Sequence, residues 1–256
     1  MEHAQRLPDF ADLFERLLVP AIFDRYARDL VERARPFGPS DRILDLGCGT
    51  GIVARVLRER LGGATRLTGV DINASMLAKA RSIAPEIPWI EGSAMALPFD
   101  DRSFEVVLAQ QVLQFVPDRA AAVREIRRVL VPGGRVVAST WRPRSYQPLF
   151  EVAGQIAEKH LGPGHDMRMS LDREELGALF AAAGFTNIEL DTASLEERHA
   201  LFPVQGNLAG AGYTNIDPGT MAIIEAETKA AIARFTAADG HITNQSVTNV
   251  IVARVP

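Results

Sequence analysis

Cysteine is almost missing from this chain of 256 residues: Cys48 is the only one. That excludes an intramolecular disulfide and any metal site built from several thiolates. Basic excess is missing too, because 28 Lys and Arg stand against 32 Asp and Glu, for a formal charge of −4. Without a positive field the chain lacks the long-range attraction on which nucleic-acid binders depend, so no nucleic-acid partner is expected. The short cluster "VREIRRVL" places Arg124, Arg127 and Arg128 on a predicted helix, where they read as a solvated face. Apolar runs long enough to span a bilayer, roughly 20 residues, do not occur. The opening "MEHAQRLPDF" shows no basic segment followed by an apolar one, so a cytoplasmic protein without a membrane span is expected. Internal repeats and low-complexity tracts are absent as well.

What remains is an ordinary globular mixture, 47% apolar and 23% charged. At this length folding buries roughly three quarters of the unfolded surface, and residues 1–256 read as a single domain. Residues 10–34 carry apolar side chains at mixed three and four spacing and read as an N-terminal helical cap, broken near Pro20. From residue 40 to 141 apolar strands alternate with helices of about ten residues. Strands are predicted over 42–46, 66–71, 88–91, 104–110 and 134–140, and helices over 51–61, 73 or 75 to 83, and 119–130. This alternation defines an α/β fold with a mostly parallel sheet, whose ligands sit at the carboxyl ends of the strands. Beyond Trp141 the pattern loosens. A helix over 147–160, a helix capped by Ser170 or Asp172 and ended by Gly184, a strand over 185–192, a helix over 218–236 and a last strand over 246–255 are expected. The irregular stretches 142–169 and 200–240 are expected to form insertions over the ligand.

The stretch "ILDLGCGTG", residues 43–51, sets glycine at 47, 49 and 51, where the backbone can turn tightly and approach a ligand. Gly49 to Ala54 even satisfies the loose dinucleotide pattern, which keeps an NAD(P)-dependent oxidoreductase open as an alternative. Asp45 weighs against it: a carboxylate two residues before the first glycine repels a pyrophosphate and attracts an ammonium or sulfonium. Asp71 closes the second predicted strand where a carboxylate can accept both hydroxyls of a ribose. An adenosyl cofactor without phosphates satisfies both carboxylates.

In order and spacing, "ILDLGCGTG", "LTGVDINASMLAKA", "GSAMALPFDDRSFEVVLAQQVLQFVPD" and "EIRRVLVPGGRVVAST" resemble the class I S-adenosylmethionine-dependent methyltransferases, in the ubiquinone and menaquinone C-methyltransferase-like branch. The resemblance covers residues 40–141 and extends weakly through "LGALFAAAGFTNIEL". It implies a Rossmann-like fold: a seven-stranded, mostly parallel sheet with an antiparallel last strand and helices on both faces. It also implies S-adenosyl-L-methionine as cofactor, with S-adenosyl-L-homocysteine as product. By position in the motifs, the backbone of Gly47, Cys48, Gly49 and Gly51 meets the methionine part, and Asp45 lies near its amino group. Asp71 holds the ribose, Ile72 and Met76 flank the adenine, and the carbonyl of Gln110 accepts from the ammonium. Relatives often have "GDA" where this chain has Gly92-Ser93-Ala94, so the Ser93 hydroxyl and the Ala94 N–H are left to read the adenine.

Methyl transfer from a sulfonium is an in-line displacement with an activated leaving group, so positioning and exclusion of water supply most of the acceleration. Only an oxygen acceptor or a phenol-activated carbon needs a base, for which His160, His165 and His199 are the candidates. Gln111 and Gln114 follow the fourth strand and point toward the substrate in the family arrangement. No Asn-Pro-Pro-Tyr-like motif and no double-glutamate loop is present, and Gln110 stands where metal-dependent catechol methyltransferase relatives place an Asp ligand, so no metal is expected. A small-molecule acceptor remains, with a non-catalytic cofactor-binding protein as the further alternative.

Overall fold

The computed structural model describes residues 10–256, apart from positions 64, 164–169, 200, 201, 203, 206, 207, 209–212 and 214. His165 therefore lies outside the described residues. Seven strands, β1 (Arg42–Leu46), β2 (Arg66–Asp71), β3 (Trp89–Glu91), β4 (Phe104–Gln110), β5 (Leu130–Trp141), β6 (Thr186–His199) and β7 (Ile242–Arg254), form one sheet in the order β3-β2-β1-β4-β5-β7-β6. All pairings are parallel except those of β7, which runs against both β5 and β6.

Helices α2 (Asp24–Arg33), α3 (Ile52–Leu61) and α4 (Ala74–Ile83) bury Leu30, Leu57 and Leu77 against one face of the sheet. Helices α5 (Arg119–Val129) and α7 (Arg173–Ala182) bury Ile126 and Phe180 against the other. Helix starts follow the side-chain chemistry. Asn73 Oδ1 accepts from Ser75 N and Met76 N at the start of α4, Asp118 caps α5, and Asp172, not Ser170, caps α7.

Two sequence expectations need correction. The N-terminal cap does not break at Pro20. One α-turn, α1 (Phe10–Leu13), leads into a π-helical stretch, Phe14–Phe23, which runs straight into α2. In an α-helix the proline ring clashes with the carbonyl four residues earlier; the wider π turn relieves that clash, and the Asp24 N–H reaches back five residues to the Val19 carbonyl. The last two strands are also far longer than expected. β5 ends at Trp141, opposite Thr248, whereas β7 begins at Ile242, opposite His199 at the end of β6. The β6–β7 pair thus projects as a ribbon six residues, roughly 20 Å, past its neighbour.

On this ribbon sit α6 (Pro148–Leu161) and α8 (Pro218–Ile232). They share apolar clusters built on Leu149, Phe202, Ile232 and Ile242 and on Ala157, Leu208 and Ile224. No described helix is long and apolar enough to cross a membrane.

Candidate active site at the carboxyl edge of the sheet

β1 delivers the chain into the glycine loop at the edge of the sheet. Gly47, Gly49 and Gly51 all have left-handed φ, +63°, +53° and +87°, a conformation that side chains other than glycine resist. Their surroundings differ. A Cβ on Gly47 would lie 2.4 Å from the Val112 side chain and one on Gly51 2.3 Å from the Trp89 ring, whereas one on Gly49 would meet nothing within 4 Å. Gly47 and Gly51 are therefore packing glycines, and Gly49 faces open space.

Two carboxylates brace this loop. Asp71 Oδ2 accepts from the Gly49 N–H and Oδ1 from the Asn73 N–H, both at 2.8 Å. Two backbone donors leave lone pairs on both oxygens for further hydroxyls. Asp45, 2% exposed, accepts from the Ala54 N–H in the first turn of α3 at 3.0 Å. Burial pushes its carboxyl up to about 7, with the Asp71 charge adding to the rise and the Ala54 N–H opposing it. Burial, with Asp45 and Asp71 nearby, likewise pushes the Cys48 thiol up, which leaves it unreactive.

Immediately after Asp71, Ile72 stands 71% exposed, an apolar side chain with no cover, while Met76 is buried. Across the edge, the Ser93 hydroxyl accepts from the Met95 N–H, and Ala94 packs partly into the core.

β4 ends at Gln110, whose side chain donates to the Phe23 carbonyl at 2.9 Å and so ties the N-terminal segment to the strand end. Its Oε1 is buried without a partner. Gln111 takes a left-handed φ of +55° and accepts from Gln114 Nε2 at 3.0 Å. Both residues are buried and bonded to each other, although Gln114 Oε1 has no partner.

The two candidate histidines among the described residues lie apart. His160 lies on α6, 3.0 Å from Glu227 of α8, beside the Lys159–Glu227 pair. It is a helix-to-helix contact and is not gathered with the residues at the strand ends. His199 is buried and donates through Nε2 to Glu197 at 3.1 Å.

Sequence reasoning missed the aromatic wall. Phe14, Phe23 and Trp141 follow one another at ring separations of 4.7 and 6.5 Å, and Tyr26 meets Trp141 edge-on at 5.2 Å. It also missed Glu197, because ending the strand at 192 hides the alternation that puts Ala193, Leu195, Glu197 and His199 on one face. Among the described residues no group of His, Cys, Asp and Glu could hold a metal ion.

The strand order and the glycine loop at its carboxyl edge define a Rossmann-like class I methyltransferase fold. Solved structures agree: the YcgJ protein of Bacillus subtilis superposes with a TM-score of 0.62 at 20% identity, over 90% of this chain and 98% of that one, a likeness of fold alone. A family model described as a methyltransferase domain matches residues 44–138. The malonyl-[acyl-carrier protein] O-methyltransferase of Halorhodospira halophila is 34% identical over 80% of this chain and 70% of its own length. The demethylmenaquinone methyltransferase of Thermus thermophilus is 34% identical over 68% and 87%.

This chain belongs to the class I S-adenosylmethionine-dependent methyltransferases, in the ubiquinone and menaquinone C-methyltransferase-like branch. It is an enzyme that transfers a methyl group from S-adenosyl-L-methionine to a small molecule, and the nicotinamide alternative falls away. The edge fits such a cofactor: Gly49 opens on free space, Asp71 keeps lone pairs for hydroxyls, and Ile72 offers an uncovered apolar face.

Proposed function

We propose that the cofactor lies along the β1, β2 and β4 ends and that a hydroxyl-, amine- or carbon-bearing small acceptor enters between the N-terminal segment and the β6–β7 ribbon. The observation that carries this is the pairing of Asp71, held at 2.8 Å by the Gly49 and Asn73 amides, with the uncovered Ile72 beside it. Asp71 accepts from the ribose hydroxyls. Ile72 and Met76 bracket the adenine, and the Ser93 hydroxyl and Ala94 N–H contact its edge. The amides of Gly47, Cys48, Gly49 and Gly51 and the Gln110 carbonyl surround the amino-acid end of the cofactor, whose ammonium Asp45 attracts from beneath the loop.

When bound, S-adenosylmethionine supplies an activated methyl group. The protein supplies position and dryness: the Gln110 to Phe23 bond closes the N-terminal segment over the strand ends, and the aromatic wall excludes water. Gln111 and Gln114 line the approach from the other face of β4. A cytoplasmic location suits the single buried thiol, Cys48, and the acidic surface offers nucleic acid no purchase.

Calorimetry with S-adenosylhomocysteine and, separately, NADH tests the proposal. Saturable binding of the first and none of the second is expected. NADH binding alone would overturn it.

A further inference from the structure

The basic run on α5 reads from the sequence as one solvated face, and the structure divides it. Arg128 is fully engaged. It donates to Glu125 at 2.7 and 2.8 Å, to Asp101 at 2.8 Å and to the Leu97 and Phe99 carbonyls at 3.0 and 2.8 Å, which ties the segment before β4 to the helix. Arg124 and Arg127 share none of this. With Arg102 and Arg128 they line a cavity of about 490 Å³ between the 101–102 turn and the ends of α5 and α7. Asp101 is the one acidic side chain on its wall among the described residues, and Arg128 holds it. Much of the remaining wall is apolar, with Leu130 and Val255 in it. In a chain of net charge −4, three guanidiniums without an acid around one hollow reverse the local sign.

Helix ends explain one of the three. Arg127 lies in the last turn of α5, where a positive charge offsets the negative end of the helix, and its Nε reaches the Gly184 carbonyl past α7 at 3.4 Å. Arg124 lies a turn earlier, exposed, and its side chain makes no hydrogen bond or ion pair. The Arg102 side chain is exposed and unbonded as well, on a backbone with φ of +56°. Glycine takes that left-handed conformation freely and arginine does not. A strained position that carries a charged side chain without a task inside the chain points to a ligand. Planar guanidinium forks match the oxygens of a phosphate, and forks from two elements converging on one hollow suit a group with several charged oxygens.

We infer that this cavity is a binding site for a phosphate-bearing ligand, its anionic group held by Arg102, Arg124 and Arg127 and its organic part laid against Leu130 and Val255. Arg102 precedes β4 and Leu130 opens β5, so the site lies at the amino edge of the sheet. The seven residues of β4, about 20 Å, separate it from the strand ends to which the cofactor is assigned. It is a second site and does not depend on that assignment. A free phosphate ester and a phospholipid headgroup offer the same chemistry.

The test is calorimetric titration of the full chain with sodium pyrophosphate, with and without saturating S-adenosylhomocysteine, together with co-sedimentation on phosphatidylcholine vesicles with and without phosphatidic acid. Saturable pyrophosphate binding of equal strength in both titrations is expected. Arg124→Gln and Arg102→Gly should each weaken it about tenfold, the scale of a charge-assisted hydrogen bond. Arg102→Gly should melt no lower than wild type, because glycine relieves the left-handed turn. Arg234→Gln, changed at an exposed arginine just past α8, should bind as wild type does. Sedimentation with the phosphatidic acid vesicles that Arg124→Gln loses supports the site and makes its ligand a lipid headgroup; pyrophosphate binding without sedimentation supports it with a soluble phosphate ester. Wild type that binds neither pyrophosphate nor the acidic vesicles, binding that Arg124→Gln and Arg102→Gly both retain, or competition between pyrophosphate and S-adenosylhomocysteine overturns it.

Discussion

The two ends of the sheet treat their carboxylates differently. On the β2-β1-β4 side, Asp45 and Asp71 take backbone amides from Ala54, Gly49 and Asn73, so these acids are part of the loop's own construction. On the β7-β6 side, Glu197 takes no backbone amide; its partners are two side chains, and one oxygen has none. A loop braced by its own main chain is organised before any ligand arrives. The ribbon cluster, held by side chains alone, keeps one carboxylate oxygen unmatched. The loop to which the cofactor is assigned is thus built in advance.

Glycine substitutions break that comparison most sharply. Gly51→Ala forces a left-handed alanine into the Trp89 ring, and the two costs together amount to about 2–5 kcal/mol of stability. Gly49→Ala carries only the backbone strain, about 1–2 kcal/mol, but puts a methyl into the open side of the loop. Thermal melts should therefore rank Gly51→Ala well below Gly49→Ala, and S-adenosylhomocysteine titration should rank Gly49→Ala as the poorer binder relative to its stability. The same order in both measurements would show that the loop does not face the cofactor.

Asp71→Ala comes next. Loss of hydrogen bonds to a charged group weakens cofactor binding by about 1.5–3 kcal/mol. An unchanged affinity in the folded variant would remove Asp71 from the ribose.

A smaller effect belongs to Asp45. Its carboxyl, raised to about 7, is largely protonated in the free protein at mildly acidic pH, and a nearby ammonium favours the ionised form. Binding then expels a proton, so affinity rises with pH toward 7 and flattens above it. Titrations in buffers of different ionisation enthalpy measure that proton; a pH-independent affinity would separate Asp45 from the cofactor. The effect on folding runs the other way. The folded state holds this proton between the ordinary carboxylate range and about 7 while the unfolded chain does not, so this group's contribution to stability falls as pH rises through that window.

The smallest effect is expected at His160, whose partner Glu227 lies on the helix surface. His160→Ala should leave the melting temperature and the cofactor affinity as they are. A large loss of either would move α6 into the active site.

Legibility in the sequence follows the same division. β1, β2 and β4 are readable to the residue because buried parallel strands are continuous apolar runs bounded by turn chemistry. Asn73 is readable as a cap because its side chain has a local job. The ribbon is not readable, because β6 is a sheet edge with one face largely in solvent, and in "LDTASLEERH" the inward positions pass from Ala193 and Leu195 to the polar Glu197 and His199. The π-helical stretch is not readable either: Pro20 announces a break, whereas the helix absorbs the proline in a wider turn. Glu197 was hidden by the same strand end: of its two partners, His199 also lies past that end on β6, and Asn244 comes from β7, far away in the chain.

The bond from the Tyr26 hydroxyl to the Ser246 carbonyl joins positions 220 residues apart. β7, which carries Ser246, also fills the slot between β5 and β6. While the chain is being synthesised, α2 has β4 and β5 to settle against, but β6 has no strand beside it until residues 242–254 have left the ribosome. The glycine loop and its two acids can assemble from the first half of the translated chain. The ribbon is therefore the last part of the sheet to form, after the loop to which the cofactor is assigned.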